Sequence, residues 1–239
     1  MKNTKYFILI LIFIFLTYFL LFFYFQNQIS YEETQINSSY VKMYLPAVDE
    51  NNKGVLTELI VEIQPGSGKI LTNIDKIKFW VDTQDSIQTA KKIAEEITRI
   101  NTNNIDIIYT IKTDNATLVG GSSAGAAITI ATIAALKNKS INQSIIITGT
   151  IEKDGSIGEV GGILEKIKAA KSKGVSIFLI PEENFKQDIY TPVEKCINQN
   201  GYEICEKRYE KKNIKDIVIE GIQVIAVNNI YDALKYFNL

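Results

Sequence analysis

The 239-residue chain is long enough for one domain of ordinary size and a small appendage. Its 26 basic and 27 acidic residues give a net charge of −1 and form no basic cluster, which excludes the electrostatic footprint of a nucleic-acid-binding protein. Histidine is absent, so the composition also excludes a Ser-His-Asp triad and any metal site that depends on imidazole ligands.

Residues 6–25 form an unbroken apolar run, which predicts a membrane anchor. A helix of this length spans a hydrocarbon core of roughly 30 Å. A cleavable signal peptide is the alternative, but the run is long for one and no small-residue cleavage site follows it. Lys2 and Lys5 precede the run, and the next basic residue is Lys42. By the positive-inside rule we expect a cytoplasmic N-terminus and a main domain outside the cytoplasm.

The apolar run divides the chain into three parts. These are a tail and anchor at 1–25, a juxtamembrane linker at 26–53 and a main domain at 54–239. The linker is polar and carries one candidate strand at 40–45. We expect the linker to separate the membrane from the folded domain.

The first half of the main domain predicts strands and a helix in alternation. Apolar and polar side chains alternate over 55–64, the pattern of a half-buried strand, and 65–68 predicts a turn into a second strand. The turn is not a P-loop, because Ile63 and Ile70 occupy the positions that need glycine and Ser or Thr. The other elements predicted here are a helix over 86–100, with Asp82, Thr83 and Asp85 as candidate capping groups, and a strand at 105–111.

The second half continues the alternation, which indicates an α/β fold. Its predicted elements are a strand at 145–148 and 151, a hairpin turn at Asp154-Gly155, a helix over 162–173 ended by Gly174, a strand at 175–180, a strand at 223–227 and a helix over 230–236. Residues 185–216 are polar and predict a peripheral insertion. Cys196 and Cys205 fall within it, and the sequence leaves open whether they form a disulfide or stay unpaired. Their spacing indicates no metal site.

A glycine-rich turn at 120–125 carries two serines to the start of an apolar helix over 126–136. Backbone N–H groups point outward at a helix start, so they can hold the negative charge that develops when a nucleophile attacks a carbonyl. A serine nucleophile needs a base, and without histidine the candidate is a lysine. Lys166, which follows Gly161-Gly162, is well placed in the sequence for this role.

Four short segments of the chain together resemble the proteolytic domain of Lon proteases, the Ser-Lys family of serine endopeptidases. They read Ser123-Ala124-Gly125, Thr148-Gly149-Thr150-Ile151, Gly161-Gly162-Ile163-Leu164-Glu165-Lys166 and Ile180-Pro181-Glu182-Glu183-Asn184. Ser123 and Lys166 lie 43 residues apart, which fits the family spacing without a gap. The resemblance implies the Lon proteolytic fold, a mixed sheet with helices, preceded here by the predicted transmembrane helix.

The resemblance also implies roles for individual residues. Ser123 is then the nucleophile, Lys166 the base, and Thr148 the group that orients the lysine, while the N–H groups of Ser123 and Ala124 are oxyanion donors. The glycines that shape the two turns are Gly121, Gly125, Gly161 and Gly162. We expect burial and the helix start to lower the pKa of Lys166, and we expect Lys168 to face elsewhere.

Some positions depart from the family pattern. The family's acidic residue shortly before the nucleophile is missing, its Pro or Asp just before the nucleophile is Ser122, and its Glu after Thr-Gly is Thr150. These changes leave the dyad in place. The sequence also contains no Walker A motif, so we expect an ATP-independent endopeptidase that needs no cofactor or metal. The alternative is a catalytically silent domain that binds peptides or assembles a membrane complex.

The resemblance implies polypeptide substrates and assembly into a homo-oligomer, with a hexameric ring as one arrangement. Whether a separate ATPase delivers substrates stays open at this stage.

Overall fold

A computed structural model describes residues 12–22, 38–73, 81–112, 121–199, 202–216 and 219–239. Residues 12–22 form helix α1, and the large apolar side chains on it are exposed. The rest of the predicted anchor, 6–11 and 23–25, lies outside the described residues. Among the helices that are described, none is both long enough and apolar enough to span a membrane.

The larger sheet has four strands in the order β1-β2-β4-β3. They are β1 (Ser39–Val48), β2 (Gly54–Pro65), β3 (Ile70–Asn73) and β4 (Ile105–Lys112). β2 lies antiparallel to both β1 and β4, whereas β3 is parallel to β4. The strand predicted at 40–45 is longer than expected because it pairs with β2 over its whole length. β1 therefore belongs to the larger sheet although it lies within the predicted linker.

Helix α2 (Val81–Thr98) follows β3 after the segment 74–80, which is outside the described residues. The prediction of 86–100 placed its start too late, and Asp82, Thr83 and Asp85 lie inside the helix rather than before it. The helix ends earlier than predicted because Arg99 has a φ of +58°. The apolar face of α2 packs on the next helix, α3.

Helix α3 (Gly125–Leu136) runs through the centre of the domain, and all 12 of its residues are buried. A helix that is apolar all round needs partners on every side, and α3 has them in α2, β1, β2 and the C-terminal helix. Its two threonines are satisfied locally, since Thr129 and Thr132 donate to carbonyls one turn back. Thr132 also meets the buried Tyr109 hydroxyl at 2.9 Å.

The second sheet is parallel, with the order β5-β6-β9. Its strands are β5 (Ile145–Ile147), β6 (Ile177–Pro181) and β9 (Gln223–Val227), joined by helix α4 (Ile163–Ser172) and followed by α6 (Ile230–Phe237). The strand predicted to reach Thr148 ends at Ile147, and Ile151 lies outside it, because the chain turns at Gly149. Asp154-Gly155 does form a turn, closed by a bond from Gly155 N–H to the Glu152 carbonyl (2.9 Å), but no paired strands flank it.

The insertion at 185–216 is more regular than its polar sequence predicts. After the short helix α5 (Glu182–Lys186), strands β7 (Asp188–Gln199) and β8 (Tyr202–Asn213) form an antiparallel ribbon that is almost wholly exposed. Cys196 and Cys205 face each other across the ribbon and form a disulfide. The alternative that the sequence left open, two unpaired thiols, is therefore not the one found.

Candidate active site

The serine turn is a single turn of 3-10 helix, Ser122–Ala124, that leads directly into α3. Gly121 stands before it with a φ of +102°, a conformation that favours glycine. The carbonyl of Gly121 accepts a hydrogen bond from Thr83 Oγ1 at 3.3 Å, and Thr83 is buried on α2. The sequence assigned Thr83 to helix capping, and only the packing of α2 shows that it holds this turn.

Ser123 is tied through its carbonyl to the segment that follows β5. The Ser123 carbonyl accepts bonds from Gly149 N–H (3.0 Å) and from Thr148 Oγ1 (3.2 Å). In the opposite direction, Ala126 N–H donates to the Gly149 carbonyl at 3.1 Å. These three bonds join the start of α3 to the end of β5. They fix the backbone that carries the serine hydroxyl and the candidate oxyanion donors of Ser123 and Ala124.

Gly125 is required where the two segments meet. A Cβ at this position would lie 2.6 Å from Ile151 Cγ2 and 2.9 Å from the Ile151 backbone nitrogen. Contacts this short do not occur between real atoms, so a side chain at Gly125 would push the serine turn away from 148–151. The small residue in the Ser-Ala-Gly segment is therefore explained by close backbone approach.

Lys166 enters the site from the start of α4. The preceding Gly162 has a φ of +67°, and a Cβ there would lie 2.4 Å from Val48 Cγ2. Lys166 N–H donates to the Gly162 carbonyl at 3.0 Å, the first bond of the helix. The Lys166 side chain is only 3% exposed, and its Nζ donates to Thr148 Oγ1 at 3.3 Å. Thr148 thus contacts both the lysine amine and the serine backbone.

The environment of Lys166 favours its neutral form. Burial lowers the pKa of the Lys166 amine from 10.5 to about 8, because removal from water disfavours the ammonium ion. Lys168, two residues further along α4, is exposed and faces away, as the helical spacing predicts. The neutral form of Lys166 is therefore accessible near physiological pH.

Ser123 and Lys166 line the same cavity, which has a volume of about 500 Å³. Its other lining residues are Ala47, Val48, Asn52, Gly161, Gly162 and Glu165. No direct hydrogen bond joins the side chains of Ser123 and Lys166, both of which the structure describes. Catalytic contacts in free enzymes are often loose and tighten when substrate binds. The arrangement provides a hydroxyl, a buried amine and a helix start around one open space.

Two further features concern the acidic position of the family pattern and the cysteines of the ribbon. Residues 113–120, which include Val119 and Gly120 from the segment where the family has its acidic residue, are outside the described residues. In the ribbon, ligand atoms of Cys196, Glu203 and Cys205 lie within 4.8 Å of one another. Both sulfurs belong to the disulfide, so they are not free to bind a metal ion as thiolates.

Comparison with known proteins shows the family. The model of the Lon protease (S16) C-terminal proteolytic domain matches residues 83–205, just over half of the chain. The archaeal Lon protease of Methanocaldococcus jannaschii is 32% identical over 146 residues, which cover 58% of this chain and 22% of that protein. The Lon protease of Campylobacter jejuni is 24% identical over 203 residues, which cover 85% of this chain and 22% of that protein.

The archaeal Lon protease of Thermoplasma volcanium gives a similar result, with 29% identity over 138 residues that cover 57% of this chain and 21% of that protein. The chain thus spans about a fifth of the length of these relatives. The family resemblance predicted from the four sequence segments is confirmed. The chain belongs to the family of Lon protease C-terminal proteolytic domains, which are serine peptidases.

Proposed function

From this membership we propose that the chain is an endopeptidase in which Ser123 is the nucleophile and Lys166 is the general base. The observation that carries the proposal is the shared cavity, where the Ser123 turn meets a buried lysine through Thr148. A lysine whose pKa lies near 8 is neutral in a useful fraction of molecules at neutral pH. This lowered pKa is a feature of the Lys166 surroundings in this chain, and family membership by itself does not imply it.

In the first half of the reaction, neutral Lys166 Nζ accepts the proton of Ser123 Oγ as that oxygen attacks the carbonyl carbon of the scissile peptide bond. The carbonyl oxygen becomes an oxyanion, which N–H groups at the Ser122–Ala124 turn can bind. The C–N bond then breaks, and the Lys166 ammonium returns the proton to the leaving nitrogen. The products of this half are a free amine and an ester between the substrate acyl group and Ser123.

In the second half, Lys166 is neutral again and accepts a proton from a water molecule that attacks the ester carbonyl. Collapse of the second tetrahedral intermediate breaks the bond to Ser123 Oγ. The lysine returns the proton to that oxygen, which restores the enzyme and releases a carboxylic acid. No step consumes nucleotide, and the sequence carries no Walker A motif.

The proposal extends to substrates that need no ATP-driven unfolding, namely unfolded or flexible polypeptide segments. A cavity of about 500 Å³ accepts an extended segment more readily than a folded surface. Oligomerisation through this domain, including a hexameric ring, belongs to the same proposal and rests on the family resemblance.

The proposal includes membrane attachment through the apolar run at 6–25, with the peptidase domain outside the cytoplasm. Lys2 and Lys5 before the run support this orientation. The Cys196–Cys205 disulfide is compatible with an oxidising compartment. Protease added to intact cells should digest the domain, and protection of the domain until the membrane is broken would contradict the orientation.

The dyad is tested with purified protein, residues 38–239, on casein without nucleotide. Ser123→Ala and Lys166→Met should each reduce turnover by at least about 1,000-fold, and the double variant should lose no more, because the two groups act as a unit. Ser122→Ala and Lys168→Met are the matched controls and should keep most of the activity. Inactivation by Ser122→Ala would move the nucleophile by one residue.

A second measurement separates this proposal from the catalytically silent alternative. A fluorophosphonate should label wild-type protein at Ser123, and labelling should disappear in Ser123→Ala and Lys166→Met. Binding of casein without labelling or cleavage, at any pH between 7 and 10, would favour a peptide-binding domain. Activity that appears only with ATP and an added ATPase would overturn the autonomous mechanism while leaving the dyad intact.

A further inference from the structure

Asn184 is a fully buried polar residue in the middle of α5, 1% exposed, and it does not line the cavity. Its side chain pairs with both backbone groups of one residue, Val160. Val160 N–H donates to Asn184 Oδ1 at 2.8 Å, and Asn184 Nδ2 donates to the Val160 carbonyl at 2.9 Å. A third bond runs from Asn184 Nδ2 to Gln187 Oε1 at 3.1 Å.

This pairing selects asparagine for a chemical reason. Val160 N–H can only donate and the Val160 carbonyl can only accept, so their partner must offer one acceptor and one donor side by side. An aspartate would set a carboxylate against a carbonyl oxygen, and an aliphatic side chain would leave two backbone groups without partners. Val160 lies in a loop outside the sheets, and Asn184 gives its backbone the acceptor and the donor that a neighbouring strand would give it in a sheet.

The position of Val160 connects this pairing to the site. Val160 is followed by Gly161 and Gly162, and the Gly162 carbonyl accepts the N–H of Lys166 at 3.0 Å. The glycines have no side chains with which to hold this stretch, and a Cβ at Gly161 would meet nothing within 4 Å. The two Asn184 bonds at Val160 therefore hold this stretch on its path into α4, together with the close approach of Gly162 to Val48.

We propose that Asn184 is a positioning residue for the general base, because it holds the loop that fixes the backbone of Lys166. The inference rests on the proposed function of Lys166. Asn184 touches neither substrate cavity nor lysine amine, so its effect passes through the Val160–Gly162 loop. Loss of the pairing lets α4 shift at its start, and the amine then moves relative to Thr148 and gains water.

The test compares Asn184→Leu, which keeps the volume and removes all three bonds, with Gln187→Ala, which removes only the third. Both changes are neutral in charge, and Glu165, the other ionisable group among the cavity residues described, is retained in each variant. Asn184→Leu should lower kcat by about 10- to 100-fold, as expected for a shift of order 1 Å in a catalytic group, with KM within about twofold. Gln187→Ala should leave both constants within about twofold of wild type.

The pKa of Lys166 supplies a readout that needs no turnover. In protein with 13C-labelled lysine, the Lys166 signal is identified by its loss in Lys166→Met and titrated by NMR. Asn184→Leu should raise the pKa of Lys166 towards its ordinary value, whereas Gln187→Ala should leave it unchanged. If wild type shows no peptidase activity but this shift is seen, the positioning role stands and the proposed function fails.

Three results would overturn the proposal. The first is a folded Asn184→Leu variant in which both the Lys166 pKa and kcat are unchanged. The second is an Asn184→Leu variant in which only the melting temperature falls. The third is that Asn184→Leu and Gln187→Ala change kcat and the Lys166 pKa equally. Circular dichroism reports whether Asn184→Leu folds. If it does not, Asn184→Ser, which retains a single hydroxyl, takes its place and should show the same kcat loss and the same direction of pKa change.

Discussion

The two candidate catalytic residues sit at the starts of two helices that differ in how they are held. Ser123 precedes α3, whose 12 residues are all buried. Lys166 lies in the first turns of α4, where only Ile163, Lys166, Ile167 and Ala170 are buried. The serine is therefore placed by a rigid central helix. The lysine is placed by an amphipathic surface helix whose start depends on a loop.

The comparison shows that one site combines two kinds of support. The serine turn is fixed to the segment after β5 by hydrogen bonds that Gly149 N–H and Thr148 Oγ1 donate to the Ser123 carbonyl. The Lys166 amine is buried on a helix that is otherwise partly exposed, and this burial lowers its pKa. A nucleophile must point in a fixed direction, whereas its base must have a pKa that leaves it neutral before the attack. The sharpest differences between the two should thus appear as a function of pH.

The largest effect expected to distinguish the lysine from the serine is the pH dependence of activity. Since burial sets the pKa of Lys166 to about 8, kcat/KM should fall about tenfold for each pH unit below that value. Casein cleavage at pH 6 should be roughly 100-fold slower than at its plateau. A profile that stays flat between pH 6 and 8 would contradict Lys166 as the base.

The same burial predicts a difference in stability between the two dyad variants. Between pH 8 and 10.5 the unfolded chain binds a proton at Lys166 that the folded chain does not, so the free energy of unfolding rises with pH in that window. The cost is present in full below pH 8. At pH 7, Lys166→Met should therefore stabilise the fold by about 3 kcal/mol, the equivalent of the pKa shift.

Chemical denaturation at pH 7 and pH 10 measures this difference. Ser123→Ala is the matched control, because it removes a hydroxyl without changing a buried charge and should follow wild type at both pH values. Equal stability of Lys166→Met and wild type at pH 7 would mean that the amine is solvated in solution.

The glycines at the two helix starts should respond differently to alanine. Gly125→Ala places a Cβ against the Ile151 backbone and should cost about 1–3 kcal/mol of stability. Gly162→Ala adopts a positive φ and meets the movable Val48 side chain, so a cost of about 1–2 kcal/mol is expected. Gly161→Ala meets nothing within 4 Å and is the control. Urea denaturation measures the free energy of unfolding of each variant. A larger loss of stability for Gly161→Ala than for the other two variants would contradict the prediction.

The smallest expected effect concerns the disulfide ribbon. Among the described residues, its strands pair only with each other, and they are almost wholly exposed. Replacing Cys196 and Cys205 with serine should therefore loosen the ribbon locally. Hydrogen exchange at 188–213 should accelerate, while casein cleavage stays within about twofold and the melting temperature within about 2 °C. A tenfold loss of activity would show that the ribbon tip takes part in substrate binding.

Short-range patterns predicted much of the fold because most elements are local. The alternation over 55–64 and the apolar run of α3 reflect which side chains are buried. The glycine after α4 was predictable because the positive φ that ends the helix favours glycine. The start of α2 was predicted too late, because the polar residues at 82–85 are exposed or bond to the serine turn. The ribbon at 188–213 was missed as regular structure, because its pairing stabilises strands that bury almost nothing.

For the candidate site, the sequence by itself determined which chemical groups are available. The absence of histidine left a lysine as the base, and the four matched segments pointed to Ser123, Thr148 and Lys166. Only the tertiary structure shows that Thr148 contacts both the Lys166 amine and the Ser123 carbonyl, and that Lys166 is buried. It also shows that Thr83 bonds to the serine turn and that Asn184 bonds to the loop before α4. These facts join residues far apart in the chain, and a pKa depends on the water excluded by all of them together.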